Sequence, residues 1–259
     1  MDDIGGWAAD PWREHRERVA EVLGRARSGV VAGFGTAAAV HGLPLPGSPP
    51  GRVELIVPRS GGGRRTEGRR VRPLPLDDDE ITVVDGLAVT TVARTVFDLA
   101  ATGDRVAALV VADHALRHGW CSLDDVEACL GRHPGRHGRS GVSFVLTHAD
   151  GRSRSPATTV SRYVMWRHGS LPRPDLSPTV RGFFDDEVGA ADFGWDGGRV
   201  LGVVDDGPSA AGLLSDEAAV ELDQLGVRVI RWSDRELDAP QRLLGRLHEA
   251  LDRRVPRSW

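Results

Sequence analysis

The stretch Val188–Gly207, VGAADFGWDGGRVLGVVDDG, places the tightest limit on what this chain can fold into. An alternating apolar run leads into Asp196-Gly197-Gly198, and a second run rich in β-branched residues leads out, the pattern of a β-hairpin. With Gly197 and Gly198 as a two-residue turn, Asp192 stands across from Val203. Side chains alternate faces along a strand, so Asp205 shares the face of both. Two carboxylates on one hairpin face are a start towards a Mg²⁺ or Mn²⁺ site, because such ions take several oxygen ligands.

A chain of 259 residues has room for two domains, each with its own core. No apolar run approaches the roughly 20 residues that cross a bilayer, and the acidic N-terminus is unlike a signal peptide. Cys121 and Cys129, eight apart with no second pair, are expected to be reduced thiols of a cytoplasmic protein rather than zinc ligands. All 33 basic residues are arginine, which points to a GC-rich bacterial genome and excludes any mechanism that needs lysine. Residues 1–150 hold 18 Arg against 20 acids and residues 151–259 hold 15 against 17, so each half carries −2. Nucleic-acid binding therefore has no support from charge, although a local patch stays open.

Along the N-terminal half, Met1–Asp10 reads as a mobile tail and Pro11–Arg27 as a helix capped by Asp10. Val30–Gly42 reads as a second, small-residue helix ended by His41. Val53–Pro58 is a strand, Arg59–Arg70 a solvated Gly/Arg-rich hairpin tip or loop, and Val71–Leu74 a return strand. A phosphate-contacting arm is the functional alternative for that loop. Asp85-Gly86 between Ile81–Val84 and Leu87–Val89 is a type I′ hairpin signal. Helices follow over Thr90–Ala101, Val106–Arg117, Ser122–Leu130 and Val142–His148. Gly131–Arg139, GRHPGRHGR, reads as an exposed linker, with metal or phosphate binding by its histidines as the functional alternative. In the C-terminal half the order is a helix over Arg154–Gly169, a connector over Pro172–Pro178 and a strand at Thr179–Val180. The hairpin, a helix over Ser215–Gly226, a strand over Val227–Trp232 and a helix over Gln241–Arg254 follow. The fold class expected is α/β: an α+β N-terminal domain and a mixed-sheet α/β C-terminal domain.

Several of these segments resemble known families. GTAAAVHGLPLP, VELIVP, VVDGLAVTTVARTVFDLA and ALVVADHALRHG together resemble the AbiEi antitoxin family, with the block from Val84 the most specific. That resemblance implies an actinobacterial source, a domain over residues 11–150 and a cognate toxin as protein partner. Members commonly carry an N-terminal winged helix–turn–helix, and the expectation for residues 1–259 is that they do not include one. SPATTVSRYVMWRHG, ADFGW, VVDDG and LGVRVIRWSDREL resemble very-short-patch-repair nucleases of the PD-(D/E)XK superfamily over residues 152–254, with the restriction-endonuclease-like fold that implies.

Carried over residue by residue, the nuclease resemblance implies an incomplete catalytic set. Arg154 and Thr158 stand where the family's helix has glutamates, and Val203 stands at the glutamate of the second strand. Asp192 and Asp205 remain, with Asp206, Asp185, Asp186 or Glu187 as substitute ligands. Structural roles, bonding to backbone N–H groups near turns, are open for the same aspartates. The expectation is a non-catalytic antitoxin or regulatory protein that needs no cofactor. The rival is a Mg²⁺- or Mn²⁺-dependent DNA endonuclease using Asp192 and Asp205. A small-molecule enzyme has no support: there is no P-loop, no GxGxxG after a strand and no nucleophile elbow.

Overall fold

The computed structural model describes residues 10–27, 29–47, 49, 51–57, 64–65, 68–168, 171–206 and 213–252. The chain divides into two units, Met1–Gly151 and Arg152–Trp259, each a mixture of helix and mixed sheet, which is the expected α/β class. The tail over residues 1–9, residues 58–63 and 66–67 of the Gly/Arg-rich segment, and residues 169, 207 and 253–254 of other expected elements lie outside the described residues.

In the N-terminal unit, β1 (Val31–Ala32), β2 (Val53–Val57), β3 (Arg64–Arg65), β4 (Arg69–Pro73), β5 (Ile81–Val84) and β6 (Leu87–Thr90) form one sheet in the order β3-β4-β2-β1-β6-β5. The β5–β6 hairpin is as expected: Val84 pairs with Leu87, and Asp85 (φ 50°) and Gly86 (φ 77°) both take the left-handed conformation that a type I′ turn requires. Two expectations need correction. Val31 and Ala32 are a strand, not the start of a helix, because they fill the gap between β2 and β6 and so satisfy their backbone groups in the ladder. The return strand is β4, and it runs parallel to β2, so the two are joined by a crossover rather than a hairpin.

α1 (Asp10–Gly24) brings Val19 against Val53, Leu55 and Val89 on one side of this sheet. Ile56 joins a second cluster with α2 (Phe34–His41), α3 (Val92–Ala101), α4 (Arg105–Arg117), α5 (Leu123–Arg132) and α6 (Arg139–His148). The starts of three of these helices are set locally. Thr91 accepts from the Arg94 amide, Asp104 from the Ala107 amide at 3.0 Å, and Ser122 and Asp125 close a capping box. α6 crosses α3 so closely that a Cβ on Gly141 would lie 2.1 Å from the Ala100 carbonyl oxygen. Both cysteines are free thiols; burial pushes Cys121 up to about 11.

In the C-terminal unit, β7 (Asp175–Leu176), β10 (Phe193–Trp195), β11 (Val200–Asp205) and β12 (Arg228–Ser233) form a mixed sheet in the order β12-β11-β10-β7. β8 (Thr179–Arg181) and β9 (Glu187–Ala190) form a separate antiparallel pair. The first run of the expected hairpin is therefore split at Ala191-Asp192 between two sheets. Its register is the expected one: Phe193 pairs with Gly202 and Trp195 with Val200. The turn is wider than two residues, spanning Asp196–Arg199, with Asp196, Gly197 and Gly198 all at positive φ.

α7 (Pro156–His168) and α9 (Gln241–Asp252) cover one face of this sheet, packing Ala157, Met165, Leu243 and Leu247 on Phe193, Trp195, Val204 and Trp232. On the other face Leu201 and Val203 meet Val180, Leu214 and Leu222, the last from α8 (Asp216–Gln224). Trp232 lies stacked on Phe193 and donates its indole N–H to the Ser161 hydroxyl at 2.9 Å. Gly202 makes room for it, since a Cβ there would sit 2.6 Å from the Trp232 ring.

Candidate functional site

Asp192 sits where the chain passes from β9 to β10, and its backbone still belongs to the ladder. Its amide donates to Gly202 at 2.9 Å and its carbonyl accepts from Ser177 at 3.0 Å. The residue is 1% exposed and its side chain is fully buried. A buried carboxylate must be paired, and here the pairing is complete. Arg154, just ahead of α7, donates Nε to Oδ1 at 2.5 Å and a terminal nitrogen to Oδ2 at 3.1 Å, a two-point fork. The Thr158 hydroxyl donates to Oδ1 at 3.0 Å and the Val204 amide to Oδ2 at 2.7 Å. Arg154 is itself anchored on the Val204 carbonyl at 2.8 Å and on Asp206 Oδ1 at 3.2 Å. Ser155 caps α7 by accepting from the Thr158 amide at 3.2 Å, which fixes Thr158 on the helix's first turn beside Asp192.

Of the sequence-derived site residues, Arg154, Thr158 and Asp192 are thus in contact. Val203 is buried among Val180, Leu201 and Leu222 on the far side of the sheet from the Trp232 core. Asp205 ends β11 and is exposed, so it stands in water while Asp192 does not. Asp185, Asp186 and Glu187 are exposed at the β8–β9 turn. Asp206, weighed in the sequence only as a substitute ligand, is the second carboxylate in contact with the guanidinium. Both oxygens of Asp192 face N–H or O–H hydrogens. A divalent cation needs the lone pairs that those hydrogens occupy, and it would meet the Arg154 charge. The donor set as arranged fits a guanidinium and does not fit Mg²⁺ or Mn²⁺.

A second cluster of charge is buried in the N-terminal unit. Arg94 and Asp98, i and i+4 on α3, pair through Nε at 2.9 Å. Arg94 also pairs with Glu80, which ends a short 3₁₀ turn capped by Asp77, and donates to the Pro75 carbonyl at 3.1 Å. Arg136 reaches the other oxygen of Asp98 at 3.0 Å. His133 Nε2 lies 2.9 Å from both Glu80 Oε1 and an Arg94 nitrogen, so it donates to the first or accepts from the second. Burial works to raise the Glu80 carboxyl. The Asp77 amide, the His133 bond and the Arg94 charge outweigh it and hold the group below the usual range.

The segment Gly131–Arg139 is therefore not simply an exposed linker. His133 and Arg136 turn inward because Glu80 and Asp98 are buried and need cationic or N–H partners. The signal that could have shown this was an Arg and an Asp at helical spacing inside an otherwise apolar α3 block. Among the described residues, Asp77, Glu80 and His133 are the group of three whose ligating atoms come within 4.8 Å of one another. Arg94 already fills the acceptor side of Glu80 there.

Residues 31–142 match the family model described as the AbiEi antitoxin C-terminal domain. The matched span runs from β1 into α6 and contains Glu80, Arg94, Asp98, His133 and Arg136 of the buried network, with Arg132 at its edge, 3.4 Å from Glu80. This similarity supports an antitoxin or defence-associated role. No curated protein and no solved structure matches the chain. No helix among the described residues is long and apolar enough to cross a membrane.

Proposed function

We propose, from the antitoxin-domain match over residues 31–142, that the chain is a non-catalytic antitoxin-type or defence-associated protein whose N-terminal unit faces a cognate toxin. In this reading residues 152–254 are a nuclease-like domain of the very-short-patch-repair type that keeps the fold and has lost the metal chemistry. It serves instead as a binding or scaffolding module in the cytoplasm. The observation that carries the reading is the Arg154 fork on Asp192. A fixed guanidinium supplies internally the positive charge that a metal would otherwise bring, but it has no open coordination position on which to bind and ionise a water. The apolar, buried Val203 supplies no ligand either.

The test is cleavage of supercoiled plasmid by the full chain with Mg²⁺ and then Mn²⁺, beside Asp192→Ala. The expected result is no cleavage with either ion at high protein concentration. Cleavage by the wild type that the substitution abolishes would overturn the reading in favour of a metal-dependent endonuclease using Asp192 and Asp205.

A further inference from the structure

The turn between β8 and β9 carries Phe183 and Phe184, which are 67% and 86% exposed. Their rings stand edge to face at 5.2 Å. The turn beneath them is built firmly. Gly182 donates to the Asp186 carbonyl at 2.8 Å, Asp185 to the Gly182 carbonyl at 3.2 Å, and Arg181 to the Asp185 carbonyl at 2.7 Å. α8 braces it from the side, with Glu221 accepting from the Phe183 amide at 3.3 Å. Val220, next to Glu221, is 64% exposed. Two adjacent phenylalanines held in water on a braced turn are apolar surface that this fold does not use.

The charge around them selects what can cover them. Asp185, Asp186 and Glu187 follow in the turn, and Asp216, Glu217, Glu221 and Asp223 are exposed on α8. Among the described residues two arginines answer them by ion pairs, Arg181 to Asp185 at 3.6 Å and Arg231 to Asp216 at 3.3 Å. An acidic field of this kind repels nucleic acid and anionic bilayers alike. It favours a protein surface of opposite sign.

We propose that the Phe183-Phe184 turn is a docking knob for a protein partner that offers an apolar pocket rimmed by arginine or lysine. The proposal rests on the reading of this unit as a binding module and names the surface that does the binding. Aromatic anchors seated in a desolvated pocket carry most of the affinity of such contacts, while the charged rim sets partner choice and association rate.

The test places p-benzoyl-phenylalanine at position 184 of the full chain, photolyses it in the cells that express the protein, and identifies the cross-linked protein by mass. That protein, purified, is then titrated with the wild type and with variants. Phe183→Ser with Phe184→Ser is expected to weaken binding about 30-fold or more, the loss typical of a hot spot. Phe183→Leu with Phe184→Leu keeps the apolar contact and is expected to stay within about 5-fold. Asp186→Lys with Glu187→Lys is expected to cost about 10-fold and to remove the weakening of binding by salt.

Equal affinity in the serine and wild-type chains overturns the proposal. So does a cross-link that falls only on a second copy, on the same chain or on nucleic acid, and so does the absence of any cross-link. Nuclease activity in the wild type would sink the non-catalytic reading and leave these affinities standing, so the two failures are distinguishable.

Discussion

Replacing Arg154 with methionine removes the charge from the C-terminal site while keeping most of the side chain's length. Asp192 would then be a fully buried carboxylate with two donors left, the Thr158 hydroxyl at 3.0 Å and the Val204 amide at 2.7 Å. Deleting one partner of a buried pair costs about 3–5 kcal/mol because the other charge is stranded. The two remaining donors put the expectation at the low end, about 3 kcal/mol. Asp192→Asn leaves Arg154 its bonds to Asp206 and the Val204 carbonyl, so its cost is expected near 2 kcal/mol. The double variant strands no charge on Asp192 and should cost less than the sum by about 1–3 kcal/mol.

With two units in one chain, a single unfolding midpoint mixes them. Native-state hydrogen exchange at the Val204 amide, which donates to Asp192, reports on this unit alone. Its protection should fall by about 100-fold in Arg154→Met, matching about 3 kcal/mol. A variant within about 0.5 kcal/mol of wild type, or strictly additive single changes, would refute the view that the guanidinium neutralises a buried carboxylate.

Other changes test other parts of the molecule. Arg94→Lys replaces a planar fork serving Asp98, Glu80 and the Pro75 carbonyl with one ammonium. It should cost about 2–4 kcal/mol, read as lost amide protection in α3; a loss under about 1 kcal/mol would contradict it. His114 is pushed down to about 4 by burial, with His118 and Arg117 adding to the effect. The unfolded chain therefore binds the extra proton between about 6.5 and 4. The stability is whole above that window and is lost as pH falls through it. His114→Asn should flatten the fall in amide protection of α4 from pH 7 to pH 4.5, and equal slopes in the two proteins would rule this out. Gly202→Ala drives a methyl into Trp232 at 2.6 Å and Trp195 at 3.1 Å. It should destabilise the unit by about 1–3 kcal/mol and shift the tryptophan emission, whereas an unchanged spectrum and unchanged amide protection in β11 would mean the sheet yields freely.

The parts of this protein that could be read from the chain are those set by a few neighbouring residues. Asp85-Gly86 specifies its hairpin because only left-handed backbone fits a type I′ turn, and the structure supplies it. Thr91 and Ser122 start helices through bonds to amides three residues on. The pairing of Phe193 with Gly202 follows from the glycines at the turn between them. Where neighbours were ambiguous, packing decided. Val31-Ala32 became a strand by filling a gap between β2 and β6, and β4 ran parallel to β2 instead of returning as a hairpin.

The chemistry of the two charged clusters was legible only in part, for the same reason. Asp192 and Arg154 could be marked as candidates, but that one neutralises the other depends on a contact across 38 residues of chain. His133 and Glu80 are 53 apart, and the linker composition around His133 gives no sign that it turns inward. Turn and cap preferences are local energies that short stretches of sequence carry with them. Burial is not local: a carboxylate's need for a partner arises only once the chain has closed over it, and the partner is whichever cation the fold brings within reach.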